Sequence, residues 1–175
     1  MGQALNEIAL SVNFEFMLQE AKVDTQVVEL IGRSRLIIEL LGAGLEVAVP
    51  MRDRGVDLIA YVDLETKARS FIARPIQMKA SSQRHFSISR KYAKVRDLLL
   101  AFVWYLDDPT LAVTYSLSYP EAVAIGDQLG WTKTSSWIEN GAYTTQRPSR
   151  NLVALLEPYR MTPERWWSRV TGTSA

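Results

Sequence analysis

No cysteine occurs in the 175 residues, which excludes a disulfide framework, a thiolate zinc site and a cysteine nucleophile. The single histidine, His85, argues against a histidine-rich metal site and against a Ser-His-Asp triad. Hard oxygen ligands are what remains, so a metal bound by this chain is expected to be magnesium or manganese. No apolar run approaches the length of a bilayer span, and the N-terminus lacks the basic, then apolar, then small-residue order of an export signal. The expected location is therefore the cytoplasm, with no membrane partner. Charge of one sign is also missing: 20 Lys and Arg stand against 19 Asp and Glu, a formal net charge of +1, which by itself does not announce a nucleic-acid binder.

What is present is an ordinary globular composition, 47% apolar and 22% charged, enough for a single domain over residues 1–175 with a full core. The charge is unevenly spread. Residues 1–30 carry Glu7, Glu15, Glu20, Asp24 and Glu29 against Lys22, whereas residues 79–97 carry Lys79, Arg84, Arg90, Lys91, Lys94 and Arg96 against Asp97. A run of this kind is as often a solvated face as a binding surface. Its place directly after Lys79 favours the second reading.

Along the chain, residues 5–18 fit two patterns. Ile8, Leu10, Val12, Phe14 and Phe16 alternate as in a strand, and Leu5, Ile8, Ala9, Val12 and Phe16 also make a helical stripe. From a cap at Asp24 or Thr25, the spacing of Val27, Leu30, Ile31, Ser34, Ile37, Ile38 and Leu41 predicts an amphipathic helix that stops at Gly42 and Gly44. Strands are expected over 45–49, 56–62 and 71–79, with a polar turn at 63–67. Pro75 places the third of these locally at an edge or a bulge. A polar stretch over 80–96 precedes further strands at 98–106 and 111–117, then a helix over 120–130, a long ordered loop over 131–150 and a helix at 151–158. An aromatic segment follows at 163–170. This order predicts one α/β domain whose central sheet is flanked by helices.

Side chains alternate across a strand, so Gln77 and Lys79 share one face. If that face meets the one carrying Asp57, an acid, an amide and an amine converge on a hydrophobic sheet. Setting Gln77 opposite Asp57 requires a connection wider than a two-residue turn, or a bulge, and bulges commonly re-aim side chains beside active sites. Hydrolysis of a phosphodiester asks for a divalent ion that activates water and offsets phosphate charge, with a cation to stabilise the transition state. Asp57 would be the anionic ligand, the Gln77 side-chain carbonyl and the Met78 backbone carbonyl neutral ligands, and Lys79 the cation.

Arg54-Gly-Val-Asp57 followed by Gln77-Met-Lys79, after a helix that runs into Gly44-Leu-Glu-Val-Ala-Val-Pro50, resembles the core of the PD-(D/E)XK nuclease superfamily. The likeness is greatest to branches such as the Mrr-type restriction endonucleases, in which the middle acid is Gln. It covers residues 25–80, leaving 97–170 as an elaboration of sheet and helix. The resemblance implies a restriction-endonuclease-like core, a mixed sheet flanked by helices, magnesium- or manganese-dependent cleavage of DNA, and a further Glu projected from the first helix. Glu29 is the better placed by its distance before Gly44, and Glu39 is the alternative. Gln77 stands where most of the family has a carboxylate, which leaves room for a second reading: a nuclease fold without cleavage, used to bind DNA or protein.

Arg84, Arg90, Lys91 and Lys94 are the candidates for phosphate contact. His85 reads as a surface residue. Trp131, Trp137 and Tyr143 are expected to anchor a loop rather than stack on bases, and Trp166 and Trp167 to pack or to sit at a subunit interface. A small domain that cuts both strands of a duplex is expected to act as a homodimer, since each site handles one strand.

Overall fold

Asp24 begins the first helix: its carboxylate accepts the Gln26 N–H at 2.9 Å, and α1 runs from Thr25 to Gly42 in the computed structural model. Gly44, at φ +77°, reverses the chain where a side chain would be strained. The structure describes residues 24–52, 54–62 and 71–173. The patterned segment 5–18 and the turn at 63–67 lie outside them.

The helix appears where its period predicts it, but a different face is buried. Gly32, Leu36 and Leu40 are buried, while Val27, Leu30, Ile31, Ile38 and Leu41 are exposed. Gly32 explains the rotation. A Cβ built there would lie 2.6 Å from Ala80 Cβ and 3.1 Å from Leu106 Cδ1, so only glycine lets the helix approach the sheet this closely. That approach sets the first turn of α1 over the end of a central strand. Gly32→Ala would gain about 1 kcal/mol of helix propensity, but neither Cβ can rotate away from the other, and overpacking of this kind costs about 1–3 kcal/mol. Urea unfolding is expected to report a net destabilisation.

Seven strands follow in sequence: β1 (Glu46–Ala48), β2 (Leu58–Tyr61), β3 (Ala73–Ala80), β4 (Phe86–Ser89), β5 (Leu99–Trp104), β6 (Val113–Ser118) and β7 (Ala142–Thr145). Five of them form a mixed sheet in the order β1-β2-β3-β5-β6, antiparallel except for the parallel pair β3–β5. Pro75 sits inside this sheet without loss. It pairs with Ile59 on one side, and pairing with β5 begins only at Ile76, so no ladder bond needs its missing N–H.

β5 is buried along its whole length, as expected for a strand covered on both faces. Its alternate residues feed two cores. Leu99, Ala101 and Val103 join Leu58, Ala60, Ile76 and Met78 beneath α1 and the last helix, α5 (Pro163–Thr171), which contributes Trp166 and Val170. Leu100, Phe102 and Trp104 join Tyr115 and Leu117 on the other face, under α2 (Tyr119–Gln128), α3 (Ser135–Asn140) and α4 (Arg150–Leu156). The chain is therefore an α/β protein with a mixed five-stranded central sheet flanked by helices. Among the described residues no helix is long and apolar enough to cross a membrane.

Two stretches differ from expectation. The polar stretch 80–96 contains β4, and the long loop at 131–150 contains α3 and β7; β4 and β7 pair as a separate two-stranded antiparallel sheet. Phe86 and Ile88 are fully buried while Ser87 and Ser89 are not, so a period-two signal was there beneath the flanking bases. Trp137 is buried, and the Trp131 and Tyr143 rings stack at 4.6 Å. These aromatics anchor the added layer. Trp166 is likewise a core residue, 1% exposed.

Candidate functional site

The register that sets Leu58 opposite Ile76 brings Asp57 level with Gln77. The Asp57 N–H also donates to the Ile76 carbonyl, at 2.8 Å, so two residues of one strand answer one residue of the other, as at a β-bulge. The β2 ladder ends there. Beyond it the Met78 N–H takes a side chain as partner, with Asp57 Oδ2 accepting at 2.6 Å. The same oxygen accepts from Gln77 Nε2, and that nitrogen lies 3.3 Å from the Met78 carbonyl oxygen. Asp57 and Gln77 are only 8% and 7% exposed, a depth at which unpartnered polar groups would cost several kcal/mol. The acid, the amide and the Met78 peptide satisfy one another.

Lys79 follows on the same face, half-buried, its Nζ 5.7 Å from the ring centroid of the buried Tyr92. Asp57, Gln77, Met78 and Lys79 line one cleft of about 370 Å³, and the first turn of α1 adds Thr25 and Glu29 to its wall. Glu29 is exposed and steadied by Arg33 one turn on, at 2.7 Å. Glu39 does something else. It pairs with Arg35 at 3.0 Å and accepts from Thr114 Oγ1 at 2.9 Å and Trp166 Nε1 at 3.3 Å, tying α1 to β6 and α5. Of the two candidates on this helix, Glu29 is the one in the cleft.

His85 departs from its expected place on the surface. It is half-buried, and it lines the cleft beside Lys79 because the chain turns back after β3 to start β4. Burial, and secondarily the charge of Lys79, lowers its pKa below the usual histidine value. Its surroundings thus favour the neutral imidazole, with one donor and one acceptor nitrogen. Thr25 and Ser81 also line the cleft. No spacing pattern points to either residue; both enter through the close approach of α1 and the reversal after Ala80.

The four basic candidates are all exposed. Arg84 donates to the Tyr105 hydroxyl and lies over that ring, Arg90 lies 5.0 Å from the Trp137 ring centroid, and Lys91 lies 4.9 Å from that of Tyr92. Lys94 closes the 3-10 turn Arg90–Lys94 that follows β4.

Among the described residues no three His, Asp or Glu side chains are grouped so as to hold a metal ion. The donors that do converge are the Asp57 carboxylate, the Gln77 amide and the Met78 carbonyl, with the Glu29 carboxylate on the same wall. All are oxygen donors, and one or two carboxylates suit a small hard cation that keeps several of its own waters. In this structure Gln77 turns its NH2 group to Asp57; a half-turn of the amide would present Oε1 instead. The set fits magnesium or manganese on those terms. The sequence matches no family model, and comparison with curated proteins and with solved structures finds no match.

Proposed function

We propose that the chain is a magnesium- or manganese-dependent DNA endonuclease with a restriction-endonuclease-like core. The observation that carries this reading is the convergence, in one cleft, of a buried carboxylate, a carboxamide, a peptide carbonyl and an amine, from the ends of two adjacent strands. The order of helix, three antiparallel strands and a parallel β5 supports the core, and the resemblance of Gly55-Val-Asp57 and Gln77-Met-Lys79 to the superfamily's motif supports the chemistry. Asp57, Gln77 and Met78 would hold the ion, with Glu29 beside them. The ion, when bound, lowers the pKa of a coordinated water and offsets phosphate charge.

The chain's own residues have separable tasks. Asp57 and the Met78 peptide fix each other through their hydrogen bond, so the donor positions are set before substrate arrives. Lys79 faces the phosphate and offsets the negative charge that grows on its oxygens. Asp57 and Gln77 lie at the buried end of the cleft, where electrostatic interactions are stronger than in bulk. One cleft serves one strand, so cutting a duplex calls for two copies.

The test is cleavage of supercoiled plasmid by purified protein with magnesium, with manganese and with chelator. Nicked and linear products are expected with either metal and none with chelator, and Asp57→Ala is expected to abolish them. Gln77 favours a second reading, a cleavage-inactive nuclease fold that binds DNA, because its neutral amide donates to Asp57 rather than adding charge to the site. Protein that binds the plasmid and leaves it intact with both metals would decide for that reading.

A further inference from the structure

Beside the cleft lies a second hollow of about 210 Å³, formed where the chain leaves β3, enters β4 and leaves β7. Its walls are Ser81, Ser82, Gln83, Arg84, His85 and Gln146, and Ser81 and His85 line the main cleft as well. The chemistry of the two hollows differs. The main cleft carries the carboxylates Asp57 and Glu29, whereas the residues lining the second supply two hydroxyls, two carboxamides, an imidazole and a guanidinium, with no carboxylate. A concave surface lined by donors and lacking anions is built for an anionic ligand.

The segment that carries the donors is also held in place. Ser81 N–H donates to the Val103 carbonyl at 2.9 Å, and Ser81 Oγ accepts the Gln83 N–H at 3.1 Å, closing the turn. Trp104 Nε1 donates to the His85 carbonyl at 2.6 Å. Arg84 is steered by Tyr105, which takes a hydrogen bond from Nε and lies beneath the guanidinium at 5.8 Å. Gln146 comes from the far side, brought by the pairing of Phe86 with Thr145. Preorganisation of this kind reduces what ordering costs on binding.

We propose that this hollow is a second phosphate subsite, which holds the phosphodiester neighbouring the one hydrolysed on the same DNA strand. The proposal rests on the nuclease reading of the main cleft. Ser81 and His85 form the partition between the two subsites, so a strand that passes from one to the other keeps successive phosphates on either side of the imidazole. Arg84 supplies the charge, and Ser82 and Gln146 supply neutral donors that fix the orientation. The subsite selects a continuous anionic backbone over an isolated phosphate ester, and it commits the enzyme to cutting within a strand.

The experiment uses oligonucleotides in which one phosphate at a time, on either side of the cut, is replaced by an uncharged methylphosphonate. Binding is followed by fluorescence anisotropy in chelator, and cleavage is followed with manganese. For the wild type, removing the charge next to the scissile phosphate is expected to weaken binding on the order of tenfold. Arg84→Ala is expected to bind the unmodified strand about tenfold more weakly, with a salt slope shallower by about one, and to be indifferent to that methylphosphonate. Gln146→Leu provides a second variant, with a smaller loss at the same phosphate. If both variants respond to the methylphosphonate as fully as wild type does, the subsite is overturned while cleavage stands. If binding depends on Arg84 and the flanking phosphate but no strand is ever cut, the nuclease reading fails and the subsite remains as a DNA-binding feature.

Discussion

Lys79→Ala protein is expected to fold, to bind DNA in chelator within a few-fold of wild type, and to cleave it about 100- to 1000-fold more slowly, the loss typical when one preorganised group facing developing charge is removed. The reasoning starts from its placement. Lys79 is half-buried on the face that carries Gln77, and its ammonium is 5.7 Å from the centroid of the Tyr92 ring, so the charge is fixed near the cleft rather than free in solvent. Arg84 lines the adjoining hollow and Lys91 lies by the same Tyr92 ring, so on the nuclease reading ground-state binding survives the loss of Lys79. The interaction that grows along the reaction does not. Single-turnover rates at saturating DNA separate the two effects, and Lys79→Arg should recover part of the rate. A rate for Lys79→Ala within a few-fold of wild type would remove this residue from the chemistry.

Gln77→Glu is expected to tie stability to metal. In the wild type the amide donates to Asp57 Oδ2; a carboxylate there replaces a donor with an acceptor and sets two anions at hydrogen-bond range. The lost bond alone is worth about 1–3 kcal/mol at a buried position, and repulsion raises the pKa of one acid of the pair. With chelator the variant should therefore melt well below wild type. A divalent cation reverses the sign, because the added charge strengthens its binding. Ion present at about a hundred times its dissociation constant restores about 2.7 kcal/mol, so the melting temperature should climb steeply with manganese in the variant and only slightly in the wild type. Equal melting of the two proteins in chelator would mean that the Asp57–Gln77 contact adds nothing to the fold.

The parts of this molecule that a sequence reveals are those whose signal is carried by side-chain polarity. Val56 to Val62 and Phe71 to Lys79 were legible as strands, and a wide connection or bulge was the condition for bringing Asp57 level with Gln77; β2 ends at Tyr61, β3 begins at Ala73, and the Asp57 N–H adds a second hydrogen bond to Ile76. Polarity failed on α1. Its most apolar stripe faces outward because Gly32, which contributes nothing to a hydrophobic pattern, decides which side can touch Ala80. It failed again at β4, where Phe86 and Ile88 sit between Arg84 and Arg90 and the charge obscured a four-residue alternation. The site followed the same division. Asp57, Gln77 and Lys79 are related by strand periodicity and could be paired on paper, whereas Thr25, Ser81 and His85 reach the cleft through a helix contact and a chain reversal that no spacing encodes.

Gln77, Met78 and Lys79 are paired along one side with the fully buried β5, while on the other side the β2 ladder has ended and the Asp57 side chain takes its place. Hydrogen bonds to a buried central strand open less readily than those of exposed loops and helix ends. The β5 side of the cleft floor is therefore its most firmly held part. Adjustment around a bound ligand would fall to the exposed first turn of α1, so the wall that carries Thr25 and Glu29 can vary while β5 keeps the spacing of the floor.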